Sequence, residues 1–272
     1  DYELVHYFNN LGMNYQRKFE IENALEYFNK ALNLLNSITQ FDVSSHPALW
    51  NNISMVYTIK GNHKKAIDLL YEAEKKILDS LGSEASGLFE VYHNIGNNYM
   101  EMGQFNNSNK YFNKALEIAE FNSNFPEVGK IQTLLNLGAN YVRTNELDSA
   151  NLIDKKISKL IKDEYTILNL DYKNFKGELL ILRGDYEEAS KLYKQTASEV
   201  TAIYGLNNMR TADQFYRLSS FYNNNLDFIN AIKYGEITLE IYDSLDKINL
   251  FYYAEQSLSL SLAYGQLFIQ SN

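Results

Sequence analysis

Apolar residues in this chain recur three and four positions apart, the interval that lines one face of an α-helix, and strict alternation is rare. The segment from Ser86 to Phe121 shows the unit: Tyr92, Ile95, Gly96 and Tyr99 on one helix, a turn at Gly103, then Ser108, Phe112 and Ala115 on a second. That unit recurs every 42 residues. The small residue of the first helix falls at Gly12, Ser54, Gly96 and Gly138, and its aromatic companion three residues later at Tyr15, Tyr57, Tyr99 and Tyr141. The second helix carries Ala24, Ala66, Ser108 and Ala150 in the same step, with Ala31, Ala73 and Ala115 seven residues further on. Once, between Ala150 and Gly177, the step shortens to 39, and we place the missing residues near Lys162 to Tyr165. It then returns to 42 through Ala189 and Ala231, with Tyr222 to Tyr264 marking a seventh first helix.

The pattern predicts an all-α chain of about six helix hairpins, at residues 4–41, 46–82, 86–122, 126–163, 166–204 and 211–246, and an unpaired last helix at 249–269. Repeats of this kind touch only their neighbours, so 1–272 is read as one elongated domain. Small residues recur where the two helices of a hairpin cross closely, and Tyr15, Tyr57, Tyr99 and Tyr141 are expected to fill the space between repeats as core. Gly61, Gly103 and Gly184 stand where a helix ends on a left-handed residue. Pro47 suits a first helical turn.

Large, small, Tyr in one helix and small, aromatic, small in the next resemble the tetratricopeptide repeat over nearly the whole chain. The 42-residue length, the absent closing proline, His46-Pro47 before a first helix and the pairs Asn9-Asn10 and Asn51-Asn52 make it similar to the kinesin-light-chain type. Leu180, in place of the tyrosine, and Asp154 and Gly235, in place of a large apolar residue, depart from the pattern. The resemblance implies a right-handed α-solenoid whose first helices line a concave face.

On those helices the residue two before the small position is Asn10, Asn52, Asn94 and Asn136. An amide offers donors and an acceptor together, and so suits an extended peptide backbone. The resemblance implies that role for these four residues. Bonding between neighbouring helices is the other reading of the same amides. Flanking groove candidates are Asn9, Met13, Asn51, Met55, His93, Asn97, Leu135 and Arg143, and the row ends at Phe175 and Arg217. The lysine clamp by which related repeats hold a chaperone's C-terminal carboxylate is replaced by Asn9, Asn51 and His93, which argues against a chaperone tail as partner.

A net charge of −9 opposes a nucleic-acid partner, and no apolar run reaches the roughly 18 residues of a membrane span. Absence of cysteine excludes thiolate catalysis within these residues and suits a reducing, cytoplasmic compartment. Four histidines remain. His46 reads as part of a loop between repeats, His63 as an exposed helix-start residue, and neither His6 nor His93 sits in a catalytic or metal-binding spacing. No catalytic residue, cofactor or metal site is expected, and Glu90, Glu101 and Glu178 read as a solvated face.

The expectation is a non-catalytic scaffold that takes a protein or peptide segment in its groove. Alternatives are the regulatory arm of a longer enzyme, such as a caspase-like protease or a kinase, or a receptor for short signalling peptides. The chain opens at Asp1 and stops after one apolar helix, so it reads as a fragment, with self-association through that helix as a further possibility.

Overall fold

A computed structural model of the chain describes residues 2–38, 47–245 and 250–271. Among these residues it contains thirteen α-helices and no strand. The helices are α1 (Tyr2–Arg17), α2 (Ile21–Ser37), α3 (Pro47–Ile59), α4 (His63–Leu81), α5 (Leu88–Glu101), α6 (Phe105–Phe121), α7 (Glu127–Arg143), α8 (Leu147–Leu160), α9 (Thr166–Arg183), α10 (Tyr186–Tyr204), α11 (Met209–Asn224), α12 (Phe228–Asp243) and α13 (Leu250–Ser271). His46 lies outside the described residues. The chain forms two compact units, Asp1–Thr144 and Asn145–Asn272.

In the first unit α1 packs on α2, α3 on α4 and α5 on α6, and α7 closes the stack against α6. In the second, α8 packs on α9, α9 on α10, α11 on α12, and α13 covers α12. Both units are therefore built of antiparallel hairpins of the predicted kind, an all-α repeat fold.

The close crossings fall where the small residues predict them. Ala24, Ala66, Ser108, Ala150, Ala189 and Ala231 are all buried. A Cβ added to Gly12 would lie 2.5 Å from the Phe28 ring, one on Gly96 2.6 Å from Phe112, and one on Gly177 2.4 Å from Tyr193. Phe28 and Phe112 are fully buried, so neither ring has space to retreat.

At the two departures other groups occupy the place of the missing ring. Asp154 accepts the hydroxyl of buried Tyr172 at 2.7 Å. Opposite Gly235, Gln256 and Leu260 of α13 move in, and an added Cβ would meet Gln256 Nε2 at 2.6 Å. The packing persists because a neighbouring helix supplies what the repeat position lacks.

The recurring tyrosines differ from expectation. Tyr15, Tyr57, Tyr99 and Tyr141 are half-buried. Tyr15 stacks on Tyr27 at 5.2 Å and Tyr99 on Tyr111 at 5.8 Å, each on the second helix of its own hairpin. The hydroxyl needs water or a partner, so the ring lies at the rim; that of Tyr99 meets Tyr71 of the preceding hairpin at 2.9 Å. The backbone at this position ends the helix. The carbonyls of Tyr15, Tyr57, Tyr99, Leu180 and Tyr222 accept the N–H five residues on, at 2.8–3.0 Å. Leu180 can replace tyrosine because this bond uses no side chain.

Between those partners sits one left-handed residue. Gly61, Gly103 and Gly184 take it as expected, at φ of 71°, 69° and 87°. Phe19, Asn145 and Leu226 occupy the same place at 58°, 59° and 62°. A side chain there costs about 1–2 kcal/mol, and Leu226 is 69% exposed, so little packing repays it. Leu226→Gly should raise stability by about 0.5–1 kcal/mol in urea unfolding; a lower midpoint would contradict this. Gly96→Ala should lower it by about 1–3 kcal/mol through the clash with Phe112, and an unchanged midpoint would show that the ring can give way.

Candidate functional site

The first helices of the residue 1–144 unit lie side by side, α1 against α3, α3 against α5 and α5 against α7. The predicted amides are carried on them. Asn52 Nδ2 donates to Asn9 Oδ1 at 2.9 Å, and Asn136 Nδ2 donates to Asn97 Oδ1 at 2.8 Å. Gln132 Nε2 reaches Asn136 Oδ1 at 3.4 Å. Part of the row therefore bonds neighbouring helices, as the second reading of the sequence has it.

The rest is not so engaged. Asn10 is exposed and Asn94 half-buried, and neither side chain makes a hydrogen bond among the described residues. Asn51 is only 8% exposed, yet its carbonyl oxygen has no partner. Asn9 Nδ2 approaches the Met13 sulfur at 3.8 Å. Met55 and Arg143 are exposed, while Leu135 is buried. An orphaned buried carbonyl on α3 and free amides on α1 and α5 leave this row of helices with unspent hydrogen-bonding capacity.

His93 belongs to the framework. Thr133 donates its hydroxyl to the Gly129 carbonyl at 2.9 Å, so His93 Nδ1–H is the donor to Thr133 Oγ1 at 2.8 Å. Burial pushes the imidazole pKa down to about 4. His63 starts α4 as expected, but it is half-buried and its Nδ1 lies 3.1 Å from Asn98 Oδ1, a contact between hairpins. Among the described residues no group of three His, Cys, Asp or Glu could hold a metal ion, and no helix is long and apolar enough to cross a membrane.

In the residue 145–272 unit Phe175, at the matching place, is buried. Arg217, in the next repeat, pairs with Glu178 at 2.9 Å and Asp213 at 3.2 Å, so Glu178 is no freely solvated carboxylate. Cavities of about 520 and 410 Å³ open beside this guanidinium. They went unread in the sequence, although Asn174 stands three residues before Gly177, as Asn9 and Asn51 stand before Gly12 and Ser54.

Two sequence models of the tetratricopeptide repeat match, one residues 5–34 and the other residues 45–120. Among curated proteins none matches the chain. Among solved structures, a putative kinesin light chain of P. anserina with nearly identical TPR-like repeats is 15% identical, with 75% of this chain and 98% of that one covered and a TM-score of 0.60. The apo form of RapI is 14% identical over 90% and 85%, with a TM-score of 0.70. The Rap conjugation gene regulator of plasmid pLS20, in complex with the Phr* peptide, is 18% identical over 95% and 80%, with a TM-score of 0.65. At these identities the likeness is one of fold.

The buried imidazole gives a pH dependence. His93 has its folded pKa near 4, below the ordinary value of 6.5. As pH falls from 6.5 the unfolded chain takes up this proton first, so the stability present above 6.5 is lost, by up to about 1.4 kcal/mol per pH unit, until the folded pKa is passed. Urea unfolding at pH 7 and pH 5 should show a loss about 2 kcal/mol larger for wild type than for His93→Gln. Equal losses would show that the imidazole titrates normally in the fold.

Proposed function

We propose that this chain, whose residues 5–34 and 45–120 match the tetratricopeptide repeat, is a non-catalytic scaffold of the kinesin-light-chain-like type that binds an extended segment of another protein or a peptide. The binding face is the row of first helices in residues 1–144. One observation carries this reading: on mutually adjacent helices, Asn10 and Asn94 keep their amides unengaged while Asn52 and Asn136 are held in place by Asn9 and Asn97. The bonded pairs fix the helices, and the free amides are left for a backbone that brings its own donors and acceptors. Each such bond contributes only about 1 kcal/mol, so affinity needs several of them together with apolar contacts such as exposed Met55.

A second reading, a receptor for short signalling peptides, is supported by the peptide-bound Rap regulator, whose fold this chain matches over 95% of its length. It differs in the length of the bound segment and predicts that a peptide of a few residues binds as tightly as any extension of it.

The test is selection of binders from a displayed random-peptide library, followed by calorimetry with the best synthetic peptide. Asn10→Ala/Asn94→Ala should weaken binding by about 25-fold, roughly fivefold for each bond lost, with an unchanged melting temperature because neither side chain makes a hydrogen bond among the described residues. Equal affinity in a normally folded double variant would refute the proposed role of the amides.

A further inference from the structure

The cavities beside Arg217 lie wholly within residues 145–272 and do not depend on the asparagine row. Asp213, Tyr216 and Arg217 line both of them, and Asp171, Asn174 and Glu255 line the smaller one. Arg217 is already matched, Nη1 donating to Glu178 and Nε to Asp213. The second cation, Arg210, lies over the Tyr204 ring at 5.6 Å. In the smaller cavity three carboxylates, Asp171, Asp213 and Glu255, thus face two guanidinium groups.

Two of these acceptors stand apart from the Arg217 pairs. Glu255 takes the Tyr216 hydroxyl at 3.0 Å. Asp171 makes no hydrogen bond or ion pair among the described residues, and burial raises its carboxyl pKa while Arg210 and Arg217 pull it back. A second observation is independent of charge. Asn174, one turn along α9 on the same face as Asp171, is 8% exposed and lines the cavity, and its carbonyl oxygen is buried without a partner. A donor entering the cavity, with a turn of that amide about its last torsion, would satisfy it.

We propose that this cavity binds a cationic N–H donor group, the ammonium of a lysine, the guanidinium of an arginine or the amino terminus of a peptide. Asp171 supplies the charge and Asn174 the neutral acceptor. Tyr216 and Tyr242 provide aromatic wall, suited to a cation's apolar stem. Arg217 spends its hydrogen bonds on Glu178 and Asp213 and acts on Asp171 only through space, which leaves the Asp171 oxygens open to a donor. An anionic group would meet the excess of carboxylates and is disfavoured.

The test titrates isotope-labelled full chain with four amidated peptides at millimolar concentration: N-acetylated Gly-Lys-Gly, Gly-Arg-Gly and Gly-Glu-Gly, and Gly-Gly-Gly with a free amino terminus. At least one cationic peptide should shift backbone amide resonances of α9 and α11 around Asp171 and Arg210, and the strongest names the source of the cation. Gly-Glu-Gly should shift none of them. Asp171→Asn should weaken the binding by about tenfold at an unchanged melting temperature. If that variant melts early, Glu255→Gln takes its place and should weaken binding severalfold. The inference is overturned if no cationic peptide binds, if the glutamate peptide binds equally, or if the folded variant binds like wild type. None of these outcomes bears on Asn10 and Asn94, whose variants leave this site intact.

Discussion

Everything else in either unit depends on one steric constraint, a residue with little or no side chain pressed against a buried ring or its substitute. Gly12 on Phe28, Gly96 on Phe112 and Gly177 on Tyr193 bring two helix axes closer than any ordinary pair of side chains would allow. The benefit is collective. Each ring makes many weak dispersion contacts, and a fully buried aromatic contributes several kcal/mol of lost water contact. Helices held at that distance leave their first members, α1, α3, α5 and α7, in direct mutual contact. The face proposed for a partner is therefore a consequence of the packing under it.

That same packing divides the polar residues by role. Amides at the seam between first helices bond across it, as Asn52 does to Asn9. Buried donors and acceptors at deeper positions are consumed in the framework: Asn140 donates to Ser108 and Asn109, both at 2.8 Å, and His93 to Thr133. Free capacity remains on Asn10 and Asn94 and on the unpartnered carbonyl oxygens of buried Asn51 and Asn174. Whether an asparagine in this chain is bonded into the framework or left free is set by what its neighbours offer it, and residue type alone does not tell the two apart.

Legibility in the sequence followed the same line. Gly, Ala and Tyr at a period of 42 revealed the hairpins because steric exclusion leaves few residue types that fit, and the helix ends fell within a few residues of the predicted ones. Phe19, Asn145 and Leu226 hid three of the six left-handed turns, since a backbone conformation can be imposed by its flanking hydrogen bonds on a residue that does not favour it. The tyrosines looked like core by size, but their hydroxyls hold them at the rim. Asp154 and Gly235 looked like defects because their compensating groups, Tyr172 and Gln256, belong to other helices. The cavities at Arg217 were illegible for a related reason: they are made by charges from different repeats whose pairing only the fold reveals.

The central claim is that the first helices of residues 1–144, and not the second, are what the molecule presents to a partner. Hydrogen exchange measured residue by residue, with and without a saturating library-selected peptide, tests it most directly. The account predicts slowed exchange concentrated in α1, α3, α5 and α7. Protection falling on α4 and α6 while the first helices exchange as before would contradict it.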